Sequence, residues 1–570
     1  GANMFFLPKN NFKIIRLVYP IVLGTFGVVL AILVSIRFKD FIDYIAMSSR
    51  INWQMLFLIL LLVIGQFIFQ VLSDYMLQIL GTEVVYELRG LLIEKILYLP
   101  KKVFDIKNSG DIASILVNDT SAIYHLVSIT IPSLFNSSIA VILITCVLFY
   151  LSIKLSITLL IVVPLIFLLF IPLGNKLAII SIKLQEKIGD LNVFGQYIVS
   201  ENTFIKSYVA QAIEEKKGRS INKSIKDIGI YQAKIYALIT PLMSTIVIIS
   251  VLSIISYGLY LISNKELTIG SFIAYISLFY QLVSPIGELG NAYAQIKGIK
   301  GATKRIKELL GIVNTEDIYT GSRNLEFKKI LFKNVTFSYD TNKTNLNKIN
   351  MLVSKGETVA IVGPSGAGKT TIISLLERFY DIDSGKIFID NENIENISLE
   401  YLRSNIGYVS QKYPLVTGTI RDNLLYGLVN KNITDQQLYN ISKLTNFYEV
   451  LDRLPDKLDS KVGEKGILLS EGEKQRLVLT RIFLIDPPIL LLDEITSSID
   501  SYSEKVVQES IGKINRDKLV IIVAHRLSTI QNADKIIFIE NGNITGVGSH
   551  LELLENHKLY AKFIEYQTQK

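Results

Sequence analysis

At 570 residues the chain is too long for one hydrophobic core, so two or more domains are expected. Half of the residues are hydrophobic and the mean hydropathy is positive, which points to a membrane protein that carries a soluble part. A net charge of +8 is modest at this length and suits loops facing anionic lipid better than nucleic-acid binding; the single Cys146 excludes an intrachain disulfide. The four histidines lie far from Cys146 and offer no metal-ligand spacing.

The first residues lack the short apolar core and small-residue cleavage site of a secretory signal, and Gly1-Ala2-Asn3 ahead of Met4 resembles an expression scar outside the fold. Six apolar stretches then approach the ~20 helical residues that cross a bilayer: roughly Ile14–Ile36, Met55–Leu72, Leu134–Ile153, Ile157–Leu173, Tyr236–Ile262 and Ile269–Val283. The last is amphipathic, with Tyr275, Tyr280, Gln281 and Ser284 along it. Residues 154–156 join the third stretch to the fourth and residues 263–268 join the fifth to the sixth. The second-to-third and fourth-to-fifth links each run to roughly sixty residues rich in charge. Lys9, Lys13 and Arg16 precede the first span, and Lys95, Lys101, Lys102 and Lys107 occupy the second link, so the positive-inside rule puts the N-terminus and both long links in the cytoplasm. An even number of spans returns the chain to the same side. The run Leu88–Leu97 keeps helical periodicity until Pro100, so helices two to five are expected to continue beyond the lipid.

Polar residues recur along two of these helices. Gln66, Gln70, Asp74 and Gln78 follow every fourth residue, and Gln281, Ser284, Glu288, Asn291 and Gln295 are spaced by three and four. A charge at bilayer depth costs on the order of 3 kcal/mol or more, so these faces should line water. Gln66, Gln70, Asp74, Gln281 and Glu288 are therefore candidate contacts to a partly polar substrate. The alternative is that Asp74 and Glu288 lie at the cytoplasmic boundary and simply reach water.

Hydropathy falls beyond Gly287, and the polar stretch 316–324 reads as a linker between a membrane domain over 1–315 and an α/β domain over 325–570. In the latter, the apolar run Val359–Val362 leads into Gly363-x-x-x-x-Gly368-Lys369-Thr370 and then the helical Ile372–Leu376. This is the phosphate-binding loop in its required strand-to-helix context. Glycines let backbone N–H groups curl around phosphate oxygens, and the helix N-terminus adds partial positive charge. Lys369 would reach the terminal phosphates and the Thr370 hydroxyl would ligate Mg²⁺. A second apolar strand beginning at Ile489 ends in Asp493, suited to holding Mg²⁺ against Thr370, and Glu494, suited to polarising an attacking water. A third, beginning at Leu519, delivers His525, which can bridge Glu494 and the terminal phosphate. Tyr339 can stack on an adenine ring, although singly it reads as an edge-strand tyrosine. Ser470 reads as an N-cap with Glu473 at the capping-box position.

Taken together these residues resemble an ATP-binding cassette (ABC) exporter with its membrane and nucleotide-binding halves fused, and the likeness covers essentially the whole length. The family's order of elements is present: the aromatic loop at Tyr339, the phosphate loop at Gly363–Thr371, a glutamine loop at Gln411, the stretch 462–466, the signature at Leu469–Glu473, the Mg²⁺ strand at Leu490–Glu494, Ser497–Asp500 and the switch His525. Leu99-Pro100, Phe104 and Gly110-Asp111 resemble a first coupling region near 100–112, and Glu201 with Ile205-Lys206 a second near 200–212.

The resemblance implies six transmembrane helices with long cytoplasmic extensions, followed by an α/β phosphate-loop domain of ABC type, with ATP and Mg²⁺ as cofactors. It implies nucleotide contacts from Tyr339, Gly363, Ser365, Gly366, Gly368, Lys369, Thr370, Thr371 and Asp500. Thr370, Gln411 and Asp493 would serve Mg²⁺, and Glu494, His525 and Gln411 would serve catalysis. Ser470 and Gly472 of one chain would close the ATP site of another, so a dimer follows. The setting implied is a plasma membrane, bacterial by composition, with the ATPase domain cytoplasmic, and the work is ATP-driven export of an amphipathic peptide or drug-like compound by alternating access. A lipid or lipid-linked oligosaccharide flippase, and an ATP-gated regulator or channel, are the alternatives.

The signature departs from the family's Leu-Ser-Gly-Gly-Gln, carrying Glu471 and Glu473. Two carboxylates near a terminal phosphate weaken its grip unless they point outward or pair with Lys474 or Arg476. Relatives that pair as unequal halves often combine an intact catalytic glutamate with an altered signature. A homodimer is thus preferred, with a related half-transporter as the other partner to consider.

Overall fold

The structure, a computed structural model, describes residues 15–107, 109–313, 315–340, 343–410, 412–428, 432–463, 469–493, 517–524 and 526–568, with the single positions 505, 509 and 512. Gln411, Glu494, Asp500 and His525 lie outside the described residues. Two compact units form. One runs to Ile93 and resumes over Ala113–Gly311; the other joins Glu94–Ile112 to Ile312–Lys570.

The first unit is helical, with the long helices Ile15–Ser48, Ile153–Ser200, Gln211–Ser263 and Ile269–Leu310 and all but the last turn of Trp53–Leu97. Another helical run ends in Ile131–Leu151 and contains two wide π turns, Ile115–Asp119 and Leu126–Thr130. Among the described residues five helices are long and apolar enough to cross a membrane. The expected fourth stretch, Ile157–Leu173, lies on the helix Ile153–Ser200. Starts are capped as hydroxyls predispose: Ser152 accepts the Leu155 N–H and Thr268 the Ser271 N–H. The apolar faces meet in a core that includes Ala140, Ile144, Leu148, Leu155, Ile254 and Leu278.

The second unit is α/β. Its strands are β1 (Lys329–Phe337), β2 (Leu346–Ser354), β3 (Thr358–Val362), β4 (Ser384–Ile389), β5 (Glu392–Asn393), β6 (Ile406–Val409), β7 (Gly418–Thr419), β8 (Lys461–Val462), β9 (Ile489–Asp493), β10 (Leu519–Val523), β11 (Lys535–Glu540) and β12 (Asn543–Gly548). A four-stranded sheet of order β2-β1-β4-β5 is antiparallel, while a six-stranded sheet of order β12-β11-β3-β10-β9-β6 is parallel except at β12. β3, β9 and β10 are buried at every position, which is why their sequences, apart from Thr358 and Asp493 at two strand ends, are continuous apolar runs rather than alternating ones. Pairing of Val523 with both Ile361 and Asp493 brings the strands' C-terminal ends level, where parallel α/β sheets bind ligands. A separate helical core of Leu424, Leu438, Phe447, Leu451 and Leu477 supports the helix Glu471–Ile485.

The compact units interleave along the sequence. The short helix Lys101–Ile106, begun after Pro100, packs within the α/β unit. The Lys101 ammonium lies 5.3 Å from the Phe379 ring centre and 5.4 Å from that of Tyr380. The Tyr380 hydroxyl donates to Asp105 across 2.5 Å.

Candidate nucleotide site and membrane cavity

β3 runs into the glycine-rich loop and the helix Lys369–Leu376. Two glycines are obligatory here. A Cβ on Gly363 would fall 2.1 Å from the Ile539 carbonyl oxygen, and Gly368 has φ +104° with the Asn345 carbonyl 2.9 Å from where its Cβ would be. Lys369, buried at 6% exposure, donates to the carbonyls of Gly363 at 2.8 Å and Pro364 at 2.9 Å. Its ammonium is thus held over the loop mouth.

Tyr339, Asn345, Ser365, Gly366, Gly368, Lys369, Thr370 and Thr371 line one pocket of 280 Å³. Tyr339 stands edge-on to both Phe337 (4.9 Å) and Tyr380 (5.0 Å), and its hydroxyl donates to Thr371 at 3.2 Å. These contacts fix the ring beside the loop. Thr370 donates to Asp493, itself buried at the end of β9, across 3.3 Å. Sequence reasoning missed Asn345, whose side-chain oxygen accepts the Tyr339 N–H at 3.0 Å. No local spacing marks it.

Ser470 and Gly472 do not line this pocket. Ser470 caps the helix Glu471–Ile485 in a full capping box with Glu473, as the Ser-x-x-Glu spacing predicts. Glu471 pairs with Lys474 at 2.7 Å, one of the two partners considered above. Glu473 pairs not with Lys474 or Arg476 but with Arg453, at 2.5 Å. Burial alone would raise the Glu473 carboxyl, yet the Ser470 N–H and the Arg453 guanidinium hold it below its usual value.

In the helical unit, Gln70, Asp74 and Glu288 line a cavity of 660 Å³ together with Gln78, Ser128, Thr130, Ser133, Asn136, Ser137, Asn291 and Gln295, and with apolar residues such as Val28 and Leu77. The Glu288 carboxylate accepts hydroxyls from Ser137 (2.6 Å), Ser133 (3.3 Å) and Ser284 (3.3 Å); Asp74 accepts the Gln70 amide at 3.1 Å. The lining contains no Lys, Arg or His. Gln66 and Gln281 stand outside it. Gln281 is turned aside by the Ser35 hydroxyl, to which its amide donates at 2.9 Å. Ser133, just before the third stretch, and Ser137 within it went unnoticed in the sequence, although they share a helix face. The π turn Leu126–Thr130 supplies Ser128 and Thr130, which simple helical spacing does not anticipate.

A phosphate loop whose threonine meets a strand-end aspartate, in one chain with helices of membrane length, defines a membrane-linked phosphate-loop nucleotidase. The ABC transporter transmembrane region family matches residues 17–286, and the ABC transporter family matches residues 346–497. The chain is 34% identical over 568 residues to a multidrug resistance ABC transporter ATP-binding and permease protein of Lactococcus lactis subsp. lactis (strain IL1403), covering 98% of this chain and 96% of that one. It is 32% identical over 561 residues to an ATP-dependent lipid A-core flippase of Syntrophus aciditrophicus (strain SB), covering 97% and 92%. The chain belongs to the ABC transporter family, as a half-transporter that joins the membrane and ATP-binding parts. It is a transport ATPase that drives export across a membrane.

Proposed function

We propose that the chain works as a homodimer in the plasma membrane, exporting amphipathic peptides or drug-like compounds by alternating access, with its N-terminus and ATPase domain in the cytoplasm. The observation that carries the substrate reading is the 660 Å³ cavity, whose wall mixes apolar side chains with amides, serine hydroxyls and two carboxylates. An anionic lipid headgroup would face Asp74 and Glu288 with no basic residue in that lining. This favours the multidrug activity named for the lactococcal relative over flipping of an acidic lipid, the activity named for the Syntrophus relative.

ATP would sit with its adenine on Tyr339 and its phosphates over 363–371, where Lys369 supplies positive charge. The Thr370 hydroxyl and Asp493 carboxylate, 3.3 Å apart, are the hard oxygen donors that suit Mg²⁺, with Gln411 as a third contact by motif order. When bound, Mg²⁺ would neutralise charge on the terminal phosphates. Glu494 would orient and deprotonate the attacking water, and His525 would bridge that carboxylate and the terminal phosphate. Asp500 follows in the same motif order. Because Ser470 and Gly472 are absent from the pocket lining, a second chain would bring its own pair to the exposed face of the nucleotide. Pairing of Glu471 with Lys474 and of Glu473 with Arg453 eases the electrostatic objection to two identical signatures, which supports the homodimer over a pairing with a related half-transporter. Closure on ATP would turn the cavity outward, and hydrolysis would reset it.

The test uses the full-length chain alone in proteoliposomes. ATP hydrolysis that is stimulated by amphipathic peptides or dyes, accompanied by their uphill accumulation and abolished by Glu494→Gln, is the expected result. A folded but inert protein overturns the homodimer. Transport of labelled lipid without transport of peptide or dye overturns the substrate reading.

A further inference from the structure

Glu473 is the third residue of the helix Glu471–Ile485, and its carboxylate is locked beside the signature serine. One oxygen accepts the Ser470 N–H at 2.8 Å, while the Ser470 hydroxyl accepts the Glu473 N–H at 3.3 Å. The Glu473 side chain is only 10% exposed, so water does little to screen its charge. Glu471 differs: its side chain is 53% exposed and it pairs locally with Lys474, an arrangement worth little either way. The other nearby cation, Arg476, points to Glu449 at 3.9 Å. The buried carboxylate is met instead by Arg453, the last residue of the helix Tyr448–Arg453, at 2.5 Å.

We infer that Arg453 is a positioning residue of the nucleotide site, cancelling the charge of Glu473 so that Ser470 and Gly472 can meet a phosphate. The inference rests on the proposed phosphate-binding role of the signature. A free carboxylate within one helical turn of the Ser470 hydroxyl would repel a polyanionic nucleotide. With Arg453 in contact, the pair is neutral, and the carboxylate keeps its second oxygen on the cap. The helix start is thus ordered by an anion whose field is extinguished before it reaches the ligand. The Arg453 side chain is 63% exposed, so its reach to Glu473 is a surface strut over a buried charge.

The experiment measures KM for ATP and kcat of the full-length chain in proteoliposomes for R453A, R453K, S470A and the double variant R453A/E473Q, each at two salt concentrations. R453A is expected to raise KM roughly tenfold with a smaller change in kcat, and the rise should shrink at high salt. R453K should recover most of the loss, and R453A/E473Q should recover it because no charge remains to be cancelled. A wild-type KM in R453A, a defect confined to melting temperature, or a defect that E473Q leaves unrelieved overturns the inference. S470A separates the two layers: if it impairs ATP use while R453A does not, only the role of Arg453 fails. If S470A leaves KM and kcat unchanged, the phosphate-binding reading fails and the inference with it. Should R453A not fold, R453K and the double variant carry the same comparison.

Discussion

The Thr370 hydroxyl donates to the Asp493 carboxylate across 3.3 Å, although 123 positions separate them in the chain. β10 lies between β3 and β9, and its parallel register with both brings the phosphate-loop helix and the aspartate to the same C-terminal end of the sheet. Substituting Asp493→Asn or Thr370→Ala is expected to lower ATP turnover by about 100-fold or more. Chelation of divalent cations from the wild-type chain should give the same loss, reversed by Mg²⁺. Near-normal turnover in either variant, followed over a Mg²⁺ titration, would remove this pair from the chemistry.

The loop's first glycine is set by packing as much as by its ligand. Gly363→Ala would drive a Cβ to 2.1 Å from the Ile539 carbonyl oxygen, a backbone atom that cannot swing aside as a flexible side chain would. A loss of about 3 kcal/mol is expected for the α/β unit, from strain of the kind that overpacking produces. Thermal unfolding of the full-length variant checks this. Gly366→Ala is the contrast: nothing lies within 4 Å of its Cβ position, and its φ of +78° alone sets a smaller penalty.

Glu377 should make the stability of the ATPase domain pH-dependent. Burial pushes its carboxyl up to about 7, with Arg403 opposing the rise. A raised carboxyl means that the folded chain holds a proton that the unfolded chain has released. Stability from this group is therefore greatest at low pH and falls as pH rises from the ordinary glutamate range through about 7. Glu377→Gln should remove this slope and stabilise the domain at pH 8 by about 1–2 kcal/mol. Melting temperatures of both proteins between pH 6 and pH 8 decide it; parallel curves would refute the effect.

In the cavity of the helical unit, Glu288 is held by three serine hydroxyls and by no basic side chain among the described residues. Hydroxyls orient a carboxyl group without placing an opposite charge beside it. Glu288→Gln is expected to raise the half-maximal concentration of a cationic amphiphile in stimulated ATP hydrolysis about tenfold, with a neutral analogue shifted less than about twofold. Equal shifts for both compounds would mean that the carboxylate shapes the wall without reading charge.

Much of this molecule was legible before any fold was known. The phosphate loop, the capped helix at Ser470 and the apolar strands beginning at Ile489 and Leu519 are written in contiguous residues, because a strand, a turn and a helix cap depend on neighbours a few positions away. The two polar stripes, one with Gln70 and Asp74 and the other with Glu288, were likewise readable, since helical spacing projects directly onto a face. Spacing could not say that Gln281 turns to Ser35 or that the π turn Leu126–Thr130 brings Ser128 and Thr130 to the cavity. Nor could it find Arg453 for Glu473, Asn345 for Tyr339, or the burial that perturbs Glu377. Those relationships join residues on different elements, where strand register and helix packing, rather than local chain geometry, determine which charges and donors meet.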